Sequence, residues 1–238
     1  MLENGLIKYS NIAYAEAERW QAPESVPASD AVIPATAGVT TVSIQSRAPG
    51  KPQEEGPLTL DIYVNPAGTS DSKGVLVWNT CGGGTASDSN SFDPTTLVLE
   101  HPDVIVVVAN IRVSYFGCID LSLFPDYDDV RDTYQYSNNL MRLDYLAALK
   151  WVAQNIAAFG GNPENVTIGG QSAGAANASS MLLMKEALPY FDKVIMESGV
   201  ALDRISLATL EESRKAAEIF MESTGVRTLS EALELEPQ

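Results

Sequence analysis

The sequence predicts an α/β architecture, a mostly parallel sheet with helices on both faces, and three observations carry that reading. Strand-like and helix-like segments alternate along most of the chain. The apolar strands are nearly continuous runs, the pattern of strands covered on both faces. One of them, "VTIGG" (166–170), runs without a loop into the small-residue stretch "QSAGAANASS" (171–180).

Taken in order, "LTLDIYV" (58–64) alternates and is β-branched or aromatic where apolar, as in a half-buried strand. "GVLVWN" (74–79) and "DVIVVVAN" (103–110) are denser and read as interior strands. In "NNLMRLDYLAALKWVAQNIAAF", Tyr145, Ala148, Leu149, Val152, Ile156 and Phe159 recur at helical spacing, and Gly160-Gly161-Asn162-Pro163 stops the helix. Residues 173–184 read as a helix packed closely on the sheet, "KVIMESG" (193–199) as a further strand, and "LEESRKAAEIFMEST" (210–224) and "SEALEL" (230–235) as helices. The first sixty residues carry short-strand and turn signals and predict an antiparallel edge. Residues 120–139 have no clear period and read as a surface excursion of the kind that borders a pocket.

Composition narrows the function. The chain has 238 residues, 45% of them apolar, which is enough for one large domain with its own core. With 31 acidic against 15 basic residues its formal charge is −16, which argues against nucleic acid and anionic membrane surfaces as partners. No apolar run approaches the ~20 residues that span a bilayer, and "MLENGLIKYS" lacks the charge and apolar core of a signal peptide. Two cysteines, Cys81 and Cys118, form neither a disulfide framework nor a metal cluster, and a reducing, cytoplasmic compartment fits them.

The chemistry centres on Gly170-Gln171-Ser172-Ala173-Gly174, a G-x-S-x-G pentapeptide between a strand and a helix. In that setting the serine occupies a strained turn. A Cβ at Gly170 or Gly174 would collide with neighbouring backbone, and small Ala173 and Ala175 continue the requirement. The hydroxyl then projects at the carboxyl edge of the sheet, at a helix N-terminus, where developing negative charge is favoured. Upstream, "CGGG" (81–84) follows a strand. Its glycines let backbone N–H groups face a cavity, and Gly83, Gly84 and Ala173 are the candidate oxyanion donors.

These residues resemble the type-B carboxylesterase and lipase family. "FGGNPENVTIGGQSAGA" (159–175) is similar to that family's serine signature along its full length. "LDYLAALKWVAQNIAAFGG" resembles the preceding helix, "LTLDIYVNP" the second signature, "CGGG" the oxyanion loop and "NIAYAEAERWQAPE" the N-terminal entry segment. The resemblance runs from about residue 4 to about residue 225, and implies an α/β-hydrolase fold, with residues 1–238 as the N-terminal part of a single such domain, incomplete at its C-terminal side. It implies hydrolysis of carboxylic esters through nucleophilic Ser172, with no cofactor or metal. Three departures stand out: Gln171 where the family has Glu, Cys81 where its oxyanion loop starts with His, and Pro57 where it commonly has a disulfide cysteine.

In this fold the order along the chain is Ser, then Asp or Glu, then His. No histidine follows Ser172. The single histidine, His101, precedes the strand 104–109, which places it at the opposite edge of the sheet, about 20 Å away. Glu197 ends a strand on the correct edge, but the resemblance does not make it the triad acid. The resemblance instead implies a C-terminal half, or a partner chain, that supplies the acid and the histidine. A natural split subunit, a truncation and a non-catalytic descendant that keeps the scaffold as a binding module are all open at this stage. Acyl and alcohol preference is not legible.

Overall fold

The computed structural model describes residues 2, 4–26, 41–45, 50–56, 58–200 and 208–236; Pro57 lies outside them. Its main sheet has six strands: β1 (Ile7–Ala13), β2 (Thr59–Val64), β3 (Lys73–Asn79), β4 (Val104–Ala109), β5 (Gly161–Gln171) and β6 (Lys193–Glu197). Their spatial order is β1-β2-β4-β3-β5-β6. Strands β4, β3, β5 and β6 are mutually parallel, β2 joins β4 antiparallel and β1 joins β2 antiparallel, forming the expected N-terminal edge.

The interior strands bury both faces because apolar residues occupy both parities. Val75 and Val77 of β3 and Ile105 and Val107 of β4 point into one cluster, with Tyr145, Leu149, Val152 and Ile156 opposite them. Leu76, Trp78, Val106 and Val108 point the other way and meet Val98. Helix α1 (Thr95–Glu100) covers that second face, and α2 (Leu140–Asn155) and α3 (Ala173–Ser180) cover the first. Burying one Val or Leu side chain stabilises by about 1.5–3 kcal/mol, so this double layer dominates the stability of the domain.

Helix α2 ends as its sequence requires. Its last turn tightens to a 3₁₀ turn over Ile156–Phe159, and Gly160 then takes a left-handed conformation at φ 84°. Strand β5 begins earlier than the apolar run predicts, at Gly161, because Gly161 pairs with Lys73 across a register shift.

Residues 120–139 are more ordered than their lack of period implies. They form short helical turns whose Leu121, Phe124 and Tyr134 are buried with Trp20 in a satellite cluster. Helices α4 (Leu210–Thr224) and α5 (Leu229–Leu233) close that cluster through Ala217, Leu229 and Ala232. Each starts with a reciprocal capping box, Thr209 with Glu212 and Thr228 with Glu231. A succession of short turns, each too brief to repeat, explains why the segment shows no single period in sequence.

Strand β6 is an edge. Among the described residues it pairs with β5 alone, and Ile195 and Met196 are 42% and 43% exposed, one on each face.

Candidate active site around Ser172

Strand β5 delivers Ser172 to the carboxyl edge of the sheet, and α3 starts at the next residue. Between them Ser172 has φ 56° and ψ −122°, a region that L-residues rarely enter. Surrounding contacts hold it there. Its N–H donates to the Glu197 carbonyl at 2.8 Å, and its own carbonyl accepts from the Ala176 N–H at 3.0 Å. The two flanking glycines answer steric need. A Cβ on Gly170 would stand 2.4 Å from the Gly174 carbonyl carbon, and one on Gly174 would stand 2.4 Å from the Asn79 oxygen. A third glycine serves the same turn from across the sheet: a Cβ on Gly199 would stand 2.1 Å from the Ser172 oxygen. Gly199 was not singled out from sequence, because its need arises only when β6 lies beside β5.

A cavity of about 340 Å³ opens over Ser172. Cys81, Gly83 and Gly84 line it from the loop after β3, and Ala173, Ala176 and Asn177 from α3. Met141 and Arg142 of α2, with Ser198 and Gly199, complete it. The structure therefore brings together Ser172, Ala173, Gly83 and Gly84. The Ser172 hydroxyl makes no hydrogen bond among the described residues.

The glycine loop is shaped by left-handed backbone at Gly83 (φ 60°) and Gly84 (φ 70°). Gly82 exchanges backbone bonds with Ala86, and the Ser114 N–H donates to the Gly84 carbonyl at 2.8 Å, which anchors the loop from both sides. The N–H groups of Gly83 and Gly84 donate to no backbone oxygen among the described residues. As the first helical residue, Ala173 likewise has no intrahelical acceptor for its N–H. Burial pushes the Cys81 thiol up to about 11, and the Gly84 N–H and the Arg142 charge pull against that rise. Cys81 is therefore a neutral wall of this loop.

Helix α2 is pinned above the cavity by a buried ion pair. Arg112 donates from Nε and Nη2 to Asp144 at 2.9 and 2.6 Å, and its backbone N–H adds a third bond at 3.0 Å. Asp144 lies two residues after Arg142, so this clamp fixes where Met141 and Arg142 stand.

Neither remaining candidate reaches the cavity. His101 caps α1 at the amino edge of the sheet, beside the start of β4. Glu197 supplies its backbone carbonyl to Ser172, while its side chain is exposed. Gln171 is exposed beside the serine and does not line the cavity. Sequence reasoning missed Met141, Arg142 and Ser198. Met141 and Arg142 sit at the start of a helix read for its core stripe, and nothing in the spacing marks them.

The model of the carboxylesterase family matches residues 2–235. The chain belongs to the carboxylesterase family. It is 35% identical over 236 residues to the para-nitrobenzyl esterase of Bacillus subtilis (strain 168), which covers 94% of this chain and 45% of that esterase. It is 36% identical over 171 residues to the acetylcholinesterase of Electrophorus electricus, covering 71% of this chain and 25% of that protein. Among solved structures, the carboxylesterase EST55 of Geobacillus stearothermophilus at pH 6.2 superposes with a TM-score of 0.85 at 32% identity, over 100% of this chain and 49% of that one. This carboxylesterase-family chain thus spans about half the length, or less, of the relatives it matches. Its sheet and helices form the corresponding part of an α/β-hydrolase fold.

Proposed function

We propose that these residues are the nucleophile-bearing part of a serine carboxylesterase. The observation that carries the reading is the strained turn that presents Ser172 to a cavity shared with Gly83 and Gly84. In this reading the Ser172 oxygen attacks an ester carbonyl and loses its proton to a histidine. The N–H groups of Gly83, Gly84 and Ala173 hold the oxyanion. The histidine returns the proton to the departing alcohol, leaving an acyl-serine, and water, deprotonated by the same base, releases the acid. The described residues that line the cavity include no imidazole and no carboxylate. In this reading the histidine and its acid come from polypeptide outside these 238 residues, either continuous with them or a separate chain. The exposed edge strand β6 is where that polypeptide docks. The thiols of Cys81 and Cys118, both free, support a cytoplasmic setting.

The test is hydrolysis of p-nitrophenyl acetate by the 238-residue chain beside Ser172→Ala. A chain lacking its base retains about 10³–10⁴-fold over water, from the oxyanion hole and binding. Adding the complementary half raises turnover in a Ser172-dependent way. Full turnover by the chain alone overturns the external base. Turnover indifferent to Ser172 in the completed protein overturns the nucleophile, and leaves a scaffold that binds without reacting.

A further inference from the structure

Arg142 has a side chain that the esterase chemistry does not use. It is the charged residue among those lining the Ser172 cavity, and it also lines a neighbouring groove of about 580 Å³. It makes no hydrogen bond or ion pair among the described residues, although it is half-buried. A guanidinium stays charged at any working pH and presents a planar fork that matches a carboxylate. The groove continues from it along α2. Leu146 and Lys150 follow at i+4 and i+8, on the same helix face, and Leu143, Ala147 and Met184 form an apolar wall. At 1.5 Å per residue Lys150 lies about 12 Å further on. Glu186 stands on the rim, exposed and paired with neither cation among the described residues.

Resting on the esterase reading, we infer that Arg142 selects esters that carry a second, ionised carboxyl group, with an aliphatic spacer lying along Leu143, Leu146 and Ala147. Three observations meet here. The cation has no partner among the described residues. It borders both the cavity that holds the serine and a groove with an apolar wall. It also stands in a chain of formal charge −16, where an anionic substrate is repelled at long range and needs a local counter-charge to be held. A single guanidinium matches a monoanion, and a doubly charged phosphate would meet more of that repulsion. The charge of Arg142 acts on Cys81, at the start of the oxyanion loop.

The experiment measures binding without turnover. Monomethyl glutarate and monomethyl adipate are titrated against Ser172→Ala by ligand-observed NMR, beside neutral methyl pentanoate. A charge-assisted, bidentate contact supports a preference for the anionic esters of about tenfold or more. In the double variant Ser172→Ala, Arg142→Gln the ratio of anionic to neutral affinity falls to about one. Arg142→Lys in the same background keeps part of it. An anionic-to-neutral ratio of one in Ser172→Ala, or a preference that survives Arg142→Gln, overturns the inference. A fluorophosphonate probe on the unmutated chain completed with its complementary half separates the two readings. Labelling of Ser172 without anion preference removes the role of Arg142 and leaves the esterase. Preference without labelling keeps the anion site and counts against the nucleophile.

Discussion

At Cys81 the fold makes a commitment that pH can expose. Burial holds the folded thiol near 11, against an ordinary value of 9.0. Below about pH 9 both folded and unfolded chains keep the proton, and the stabilisation is fully present. Above it the unfolded chain releases the proton first, so stability falls as pH rises towards 11. The loss is about 2 kcal/mol by pH 10.5. Urea midpoints at pH 8 and pH 10.5 should therefore draw closer together in Cys81→Ala than in the parent. Buried Tyr14 and Tyr145 are also raised and add to the alkaline loss in both proteins, so the difference between them isolates the thiol. Residue by residue, the site was legible wherever a need is local. Gly170 is constrained by Gly174 within the same five positions, and the pentapeptide displays that need, with the small residues around Ser172, even though Gly174 itself answers to distant Asn79. Gly199 and Arg142 are constrained by neighbours 27 and 30 residues from Ser172, through strand pairing and helix docking, and a linear reading has no term for either.

Among the elements, α2 has the most to hold. Its core stripe is plain in the sequence, but its height over the cavity depends on the Arg112–Asp144 clamp, whose side chains are 2% and 0% exposed. Asp144→Asn leaves Arg112 buried and uncompensated, which costs about 3–5 kcal/mol. Thermal and denaturant unfolding should both register that loss, and an unchanged midpoint would show that water or another acceptor takes over. Strands β2 to β6 and helices α2 to α5 all fall where periodicity predicts, within a few residues. The exception is 120–139, where a succession of short turns packs on the Trp20 cluster and no one of them is long enough to show a repeat.

On the scale of the whole molecule, the contrast between the two ends of the sheet matters most. The β1 end keeps Ile12, Leu60 and Ile62 fully buried. The β6 end leaves Leu182, Leu183, Leu188, Ile195 and Met196 between 42% and 63% exposed. An apolar edge with free backbone groups invites pairing. Light scattering after size exclusion should accordingly find the 238-residue chain above monomer mass, and Ile195→Lys should return it towards a monomer. A monodisperse monomer that binds no hydrophobic dye would refute the docking role of β6. The amide of Ser172 donates to Glu197, and Gly199 packs on its carbonyl, so the Ser172 turn and the open border of the sheet share one scaffold. Linkage then runs in both directions. Whatever seats itself along that border and shifts the turn changes the affinity of the serine for its ligands, and by the same factor an adduct on the serine changes how firmly the border is held. The rim of this sheet is in that sense a gauge of the occupancy of the cavity over Ser172.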